Sequence, residues 1–313
     1  MINKNPKIFV MGAGSVGCFF GGMLARAGKD VTLIGRPMHV EAIRQNGLYM
    51  ECINFQEYVS VNATDEMSSI KDADIVLLCV KSPDTQKTIE EMRAYLKQDA
   101  IILSLQNGVN NCDVIKQYRS MHIYPTIVYV ATGMVGPGHL KHFGRGELLV
   151  GDLDNQHLTN NLVQRELEML AEIFSSSGVP CDISNNIKYE LWSKFLINCC
   201  YNGISAIGQI QYGKMVAQPE IRALIDQITK EFLSIALKEG VVITPEQAAK
   251  LNHQIATSMS GQRSSTAQDL SRKKPTEIDY LNGLIVKKGK DYGIETPANQ
   301  SIYALVKMIE AGY

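Results

Sequence analysis

The feature that most constrains the fold of this chain is a glycine-rich turn between a predicted strand and a predicted helix. A strand-like run at residues 7–11 leads directly into the turn, and a small-residue apolar segment follows it to residue 27. The turn consists of Gly12, Ala13, Gly14, Ser15, Val16 and Gly17. In such units the first glycine allows the turn, the second lets the backbone approach a pyrophosphate, and the third lets helix and strand pack closely. Because a helix N-terminus also favours anions, the sequence predicts a dinucleotide site here.

Arg36 indicates which dinucleotide is bound. A second predicted strand, residues 31–34, leads into Gly35 and Arg36. NAD sites usually have Asp or Glu at this position for the ribose 2′-hydroxyl, whereas a guanidinium suits a 2′-phosphate. Without the glycine-rich turn, Arg36 would be interpreted as a solvated loop residue. After that turn, it favours NADP over NAD.

Composition and charge limit the class of protein. The 313 residues are 45% hydrophobic and 20% charged, with a formal net charge of −1, which predicts a soluble globular protein with room for two cores. The near-zero charge argues against nucleic acid as the main partner. No segment before the first predicted strand resembles a signal peptide, and no apolar stretch is long enough to span a bilayer. We therefore expect a cytoplasmic protein without a membrane partner.

Cysteine and histidine spacing indicates neither disulfides nor a metal centre. The seven cysteines form no CxxC pair or regular framework, so we expect reduced, mostly buried thiols. His139 and His142 have a spacing that occurs in metal sites. Since no cysteine or carboxylate cluster accompanies them, a loop or hairpin role is favoured and no metal is expected.

Alternating strands and helices in the first half predict a parallel, doubly wound Rossmann-like α/β sheet. Two buried strands, at residues 74–80 and 100–105, end at Lys81 and at Asn107. Because such sheets bind ligands at the carboxyl ends of their strands, both residues are candidate cofactor contacts; an ordinary turn at Asn107-Gly108 is the alternative. Strands near residues 123–130 and 147–151 flank a glycine-proline-glycine turn and are expected to finish the sheet in antiparallel fashion.

Helical periodicity replaces the strand pattern after Cys181. The sequence predicts helices over residues 186–208, 219–239, 245–256, 276–292 and 297–311, with stops at Gly240 and Gly293. We therefore expect an NADP-binding Rossmann-like domain over residues 1–185 and an all-helical substrate and catalytic domain over residues 186–313.

The first of these helices has a polar stripe. Lys194, Asn198 and Asn202 recur every fourth residue in a segment rich in Leu, Ile, Phe and Cys, so they share one helix face. Interhelical hydrogen bonds would account for one such asparagine, but three aligned polar groups favour a substrate-binding face. A lysine ammonium can donate a proton to an oxygen on which negative charge develops, as reduction of a ketone by NADPH requires.

Two later segments add polar groups. Ser264 and Ser265 precede a polar loop, and Thr276 is a candidate cap of the helix predicted over residues 276–292. Glu277 either serves the substrate, by accepting a hydrogen bond from its hydroxyl or by orienting Lys194, or merely favours the positive helix end, an effect worth about 0.3–1 kcal/mol. Taken alone, Glu277 fits the second interpretation better.

In their order, these motifs closely resemble the ketopantoate reductase family along nearly the whole chain. The resemblance rests on Gly12-Ala13-Gly14-Ser15-Val16-Gly17, Val80-Lys81, Gln106-Asn107-Gly108, Gly136-Pro137-Gly138, the stripe Lys194, Asn198 and Asn202, Ser264-Ser265, and Thr276-Glu277-Ile278-Asp279-Tyr280. Members of this family reduce 2-dehydropantoate to pantoate with NADPH, in the pathway to pantothenate and coenzyme A. They consist of a Rossmann domain and a helical domain, and occur as monomers and dimers.

On the substrate side, the resemblance implies that Lys194 donates the proton to the keto oxygen. Asn198, Asn202 and Ser265 would hold the carboxylate and hydroxyl of the substrate. Glu277 would lie beside both the substrate and the nicotinamide ribose.

On the cofactor side, the resemblance implies that Asn107 bridges cofactor and substrate. Arg36 and Lys81 would contact the adenosine side of NADPH, and the backbone of Gly133 would line the cofactor site. The glycine-rich turn would bind the pyrophosphate.

Tyr212 departs from the family pattern. Some members have a substrate-contacting asparagine where this chain has Tyr212, before Gly213. A phenol still forms hydrogen bonds but occupies far more volume, which leaves the exact substrate open. The alternatives are an NADP-dependent reductase of another 2-oxo acid and, less favoured because of the polar stripe, a non-catalytic NADP-binding sensor.

Overall fold

The chain consists of two compact units in a computed structural model that describes residues 5–119 and 122–313. The N-terminal unit lies within residues 1–187 and the C-terminal unit within residues 188–313. The sequence places the division two residues earlier, between residues 185 and 186.

The N-terminal unit contains a ten-stranded sheet in the order β4-β3-β9-β8-β7-β6-β1-β2-β5, with β10 paired to β9. The strands are β1 (Ile8–Met11), β2 (Val31–Ile34), β3 (Leu48–Glu51), β4 (Gln56–Val59), β5 (Asn62–Thr64), β6 (Ile75–Leu78), β7 (Ile101–Ser104), β8 (Ile123–Gly136), β9 (His139–Val150) and β10 (Cys181–Ile183). From β8 to β5 every neighbouring pair is parallel. The predicted Rossmann-like sheet is thus confirmed.

The parallel part of the sheet is covered on both faces, as continuous apolar strands require. All residues of β1, β6 and β7 are buried. Along β1, Ile8 and Val10 pack into one apolar core cluster, and Phe9 and Met11 pack into another. The helices of this unit are α1 (Ser15–Arg26), α2 (Pro37–Asn46), α3 (Thr85–Met92), α4 (Asn111–Lys116) and α5 (Asn161–Ser175).

The predicted end of the sheet was wrong in part. Strands β8 and β9 are antiparallel, as expected, but much longer than predicted, and register shifts interrupt their pairing. Such irregularities bend long strands. The sheet also continues beyond β9, because β3 pairs with it in parallel and β4 then pairs with β3. Strands β3 and β4 are short and lack the apolar runs that identified the central strands.

The C-terminal unit is helical. Its helices are α6 (Ile187–Gly208), α7 (Tyr212–Val216), α8 (Pro219–Lys238), α9 (Pro245–Ser258), α10 (Ser265–Ser271), α11 (Asn282–Tyr292) and α12 (Pro297–Glu310). The predicted stops after α8 and α11 are confirmed, since Gly240 and Gly293 have φ values of 74° and 66°. In the described ranges, no helix combines the length and apolar character needed to cross a membrane.

The helix predicted over residues 276–292 was wrong in its first part. The hydroxyl oxygen of Thr276 accepts a hydrogen bond from Ile278 N at 3.2 Å, but only the short 3₁₀ turn Ile278–Tyr280 follows, and its N-cap residue is Glu277. The backbone then breaks at Leu281, with φ −111° and ψ −109°, and α11 begins at Asn282. The short helices α7 and α10 were not predicted, because they span too few residues to show a periodic apolar pattern.

Candidate functional site

The glycine-rich turn joins β1 to α1 and has the backbone that its sequence predicts. Gly12 has a φ of 109°, and a Cβ added there would lie 2.8 Å from Val80 N. A Cβ added at Gly17 would lie 2.1 Å from Gly12 O, so the first turn of α1 packs directly on the loop. At Gly14, an added Cβ would meet no atom of the described residues within 4 Å. The loop is therefore closed at Gly12 and Gly17 and open at Gly14.

The open side of the turn suits a pyrophosphate. Gly14 precedes α1 and makes no side-chain cap bond, and the first N–H groups of a helix have no intrahelical acceptor. These donors and the helix dipole favour a bound phosphate. Ser15 and Val16, which follow Gly14 in this first turn, are both half-buried.

The end of β2 contacts the same turn and positions Arg36. Ile34 O accepts hydrogen bonds from Gly12 N at 3.0 Å and from Ala13 N at 2.9 Å. A Cβ added at Gly35 would lie 2.5 Å from the Cβ of Ala13, so only glycine fits this approach. Arg36 follows at the N-terminus of α2, and its side chain is exposed. It is thus next to the turn and accessible to a ligand.

A buried polar cluster links the ends of β6 and β7. Gln106 Nε2 donates to Val80 O at 3.0 Å and to Thr85 Oγ1 at 2.6 Å. Thr85 Oγ1 in turn donates to Asn111 Oδ1 at 3.1 Å. Because buried polar groups of this kind are costly unless paired, the cluster gives these two loops a defined relative position.

The same cluster holds Asn107. The backbone carbonyl oxygen of Asn107 accepts hydrogen bonds from Ser82 Oγ at 3.0 Å and from Asn111 Nδ2 at 2.6 Å. Ser82 directly follows Lys81, which is exposed. Sequence analysis identified Lys81 and Asn107 but missed the supporting Ser82, Thr85 and Asn111. The available signal was the run of polar residues directly after each buried strand.

Strand order brings most of the predicted cofactor residues to one edge of the sheet. Strands β7, β6, β1 and β2 are consecutive neighbours, so Asn107, Lys81, the glycine-rich turn and Arg36 follow their carboxyl ends in that order. Parallel α/β sheets bind ligands at this edge. Gly133 lies within β8, buried and paired with Lys141 of β9, one strand beyond β7.

In the C-terminal unit, the polar stripe lies on α6, a helix rich in apolar residues. Lys194 and Asn198 are half-buried, and Asn202 is 6% exposed. Aromatic rings fix another face of the helix, since Trp192 and Phe195 pack edge-on against Phe232 of α8, with centroids 5.5 and 5.2 Å away. These rings stabilise the helix that supports the stripe.

A buried hydrogen-bond network also fixes α6. Asn282 Nδ2 donates to Cys199 O at 3.0 Å and to Asn299 Oδ1 at 3.0 Å. Asn299 Nδ2 donates to Glu231 Oε2 at 2.8 Å, and the same carboxylate accepts the backbone N–H groups of Ala298 and Asn299 at the start of α12. Sequence analysis missed this network because its members are far apart in the chain.

The structure brings Ser265 close to Asn202. Ser264 Oγ donates to Asn202 O at 3.0 Å and accepts from Ala267 N at 2.9 Å, which caps α10. Ser265 is the exposed first residue of that helix. Glu277 is half-buried, and its neighbour Ile278 lies 3.7 Å from a Cβ added at Gly203 of α6. Ser265 and Glu277, both predicted to bind substrate, thus belong to segments that pack on α6 near Asn202.

The cysteines have no reactive character. Six are buried, Cys79 is half-buried, and all are free thiols. Burial raises the pKa of Cys18 and of Cys200 to about 12. Since the thiolate is the nucleophile, these side chains are inert at neutral pH.

The two histidines with metal-like spacing have other partners. His139 Nε2 lies 3.0 Å from Glu51 Oε2 on the neighbouring strand. Hydrogen bonds from Lys141 and His139 lower the pKa of the Glu51 carboxyl. His142 Nε2 lies 2.6 Å from Arg145 O. Across residues 5–119 and 122–313, no group of three or more His, Cys, Asp or Glu side chains is arranged to hold a metal ion.

Alanine at Gly17 is expected to destabilise the N-terminal unit far more than alanine at Gly14. A methyl group at Gly17 would overlap Gly12 O, so the free energy of unfolding should fall by about 1–3 kcal/mol. A methyl group at Gly14 has open space, and the change should stay within about 0.5 kcal/mol. Chemical denaturation measures both. Equal losses of stability in the two variants would contradict this account of the turn.

Comparison with known proteins identifies similar chains along almost the full length. The family model "Ketopantoate reductase PanE/ApbA" matches residues 8–155, and the model of its C-terminal part matches residues 186–310. A 2-dehydropantoate 2-reductase from Archaeoglobus fulgidus is 31% identical over 307 residues, which cover 98% of this chain and 98% of that protein.

Two solved structures are similar over nearly the whole chain. A PanE/ApbA family ketopantoate reductase from Ralstonia eutropha JMP134 is 45% identical, with a TM-score of 0.90, and the match covers 98% of this chain and 99% of that one. A D-mandelate dehydrogenase, in a ternary structure with NADH and anilino(oxo)acetate, is 29% identical with a TM-score of 0.89, again covering 98% and 99%.

Proposed function

Because the chain belongs to the ketopantoate reductase family, we propose that it reduces 2-dehydropantoate to pantoate with NADPH, a step toward pantothenate and coenzyme A. The observation that supports this most strongly is the polar face of α6. A lysine aligned with two asparagines on an apolar helix suits a proton donor beside substrate-binding amides, and mere cofactor sensing gives no reason for it. We further propose a cytoplasmic monomer or homodimer acting on a small 2-oxo acid.

The cofactor would be held at the carboxyl edge of the parallel strands. The open backbone at Gly14 fits a pyrophosphate, and the exposed guanidinium of Arg36 fits a 2′-phosphate. Lys81 would contact the adenosine side, Asn107 the cofactor and substrate, and the Gly133 backbone the cofactor. When bound, NADPH supplies the hydride that adds to the 2-oxo carbon.

Lys194 supplies the proton. As the carbonyl carbon is reduced, negative charge develops on its oxygen, and the Lys194 ammonium stabilises that charge and donates a proton to form the hydroxyl. The neutral amine then regains a proton from water. This role accounts for a half-buried cationic side chain in a mainly apolar stretch of α6.

The neighbouring polar side chains orient the substrate. Asn198, Asn202 and Ser265 offer amide and hydroxyl groups to its carboxylate and hydroxyl. Glu277, beside the α6-packed residue Ile278, would accept from the substrate hydroxyl and approach the nicotinamide ribose.

A reductase of another 2-oxo acid is the second candidate. One support is the likeness to D-mandelate dehydrogenase, whose structure was solved with NADH and anilino(oxo)acetate. The other is Tyr212, at a position where some relatives have asparagine. The same residues would carry out the same reaction on a 2-oxo acid with a different substituent.

Product formation tests the proposed reaction. Incubation with 2-dehydropantoate and NADPH should yield one pantoate for each NADPH oxidised, measured by chromatography and by the loss of nicotinamide absorbance. Oxidation of NADPH without pantoate, or no turnover at saturating 2-dehydropantoate, would contradict the proposal.

A further inference from the structure

Tyr212 lies inside the C-terminal unit, against Asn202. The first residue of α7, it is 6% exposed, and its hydroxyl donates to Asn202 Oδ1 at 3.2 Å. Its backbone N–H donates to Gln262 O at 3.0 Å. Its ring packs edge-on against Tyr201, with the centroids 5.2 Å apart. The phenol is therefore held on several sides and is directed at one end of the Asn202 amide.

The phenol remains a hydrogen-bond donor at neutral pH. Burial raises the pKa of the Tyr212 hydroxyl well above its usual value, because desolvation disfavours the phenolate. A protonated phenol donates one hydrogen bond, and the carboxamide oxygen is the acceptor in this contact. The two ends of the Asn202 amide thus become inequivalent.

We propose that Tyr212 is a positioning residue whose hydroxyl holds the Asn202 amide so that Nδ2 donates to the carboxylate of the 2-oxo acid. This inference rests on the proposed function. With Oδ1 engaged by Tyr212, the part of the amide left for a ligand is its NH₂ group. A flipped amide would instead present its oxygen to the carboxylate and repel it. A carboxylate is the strongest acceptor on a 2-oxo acid, and hydrogen bonds to charged groups are the stronger ones.

Tyr212 stands where some family members have a substrate-contacting asparagine. Its larger side chain acts through Asn202 and need not occupy substrate space, since the structure buries it. It therefore supports binding of the group that all 2-oxo acids share, their carboxylate, and not of the hydroxyl that distinguishes 2-dehydropantoate.

The test compares Tyr212→Phe with Tyr201→Phe, a matched loss of one buried phenol hydroxyl. The Tyr201 hydroxyl donates to Asn252 O at 2.8 Å and not to Asn202. We expect Tyr212→Phe to raise KM about three- to tenfold, with kcat within about twofold of wild type, and Tyr201→Phe to leave KM unchanged. The rise should be equal for 2-dehydropantoate and for 3,3-dimethyl-2-oxobutanoate, which lacks the hydroxyl.

A double-mutant cycle completes the test. In an Asn202→Ala background, Tyr212→Phe should cause no further rise in KM, because its effect passes through the amide. Additive effects would overturn the positioning role, and a rise confined to 2-dehydropantoate would overturn the carboxylate assignment.

The same cycle measured on thermal unfolding, without substrate, separates this inference from the proposed function. Coupling between Tyr212→Phe and Asn202→Ala in Tm is expected if the contact exists, and its absence would overturn the inference. If the wild type reduces neither acid, the proposed function fails and the carboxylate assignment fails with it, while the Tm cycle still decides whether Tyr212 holds Asn202.

Discussion

Lys194→Ala is expected to lower kcat for reduction of the 2-oxo acid by about 10²–10⁴-fold. The variant lacks the ammonium that would donate the proton, and a methyl group cannot stabilise charge on the oxygen. Affinity for NADPH should change little, since Lys194 is not among the residues proposed to hold the cofactor. The steady-state loss of NADPH absorbance at saturating NADPH and substrate measures kcat.

Lys188→Ala is the matched control, because Lys188 lies on the same helix and its ammonium donates to Glu239 O at 2.7 Å. This variant loses a lysine and a hydrogen bond but no proposed catalytic group, so its kcat should stay within about twofold of wild type. If Lys194→Ala kept a tenth or more of wild-type kcat, another group would have to supply the proton.

Arg36→Ala should weaken NADPH binding by about 10–100-fold and leave NADH binding nearly unchanged. The expected loss of binding free energy is that of a charged hydrogen bond to phosphate, about 1.5–3 kcal/mol. NADH has no 2′-phosphate, so the substitution removes no such hydrogen bond from it. Fluorescence titration of the two cofactors gives both dissociation constants.

Arg44→Ala controls for the loss of an arginine from the same region. Arg44 lies on α2, eight residues after Arg36, and its Nε donates to Ala63 O at 2.9 Å. Arg44→Ala should weaken the binding of NADPH and NADH equally and only slightly. If Arg36→Ala weakened NADH as much as NADPH, the arginine would not recognise the 2′-phosphate, and the NADH-bound relative would be the better guide to cofactor choice.

Local pattern was sufficient to predict the features near the strand ends. The turn at Gly12–Gly17 and the residues Lys81 and Asn107 each follow an apolar strand directly in sequence, so short-range spacing identifies them. The stripe on α6 was predictable for the same reason, because helical spacing alone places Lys194, Asn198 and Asn202 on one face.

Features that depend on contacts between distant segments could not be predicted. Residues Glu231, Asn282 and Asn299 form one buried network only after three helices pack together, and each residue alone resembles an ordinary surface polar group. The partner of Tyr212 was equally hidden, since the phenol could be interpreted as a bulky substitute for asparagine until its contact with Asn202 was known. Tertiary packing, not local preference, decides these positions.

Competing kcat/KM values determine whether the enzyme prefers NADPH and 2-dehydropantoate over NADH and another 2-oxo acid. The measurement compares 2-dehydropantoate with phenylglyoxylate, the 2-oxo acid of mandelate, using NADPH and then NADH. We expect 2-dehydropantoate with NADPH to have the highest kcat/KM by at least about tenfold, a discrimination of about 1.4 kcal/mol. A higher kcat/KM for phenylglyoxylate, or for NADH with either acid, would contradict the proposed function.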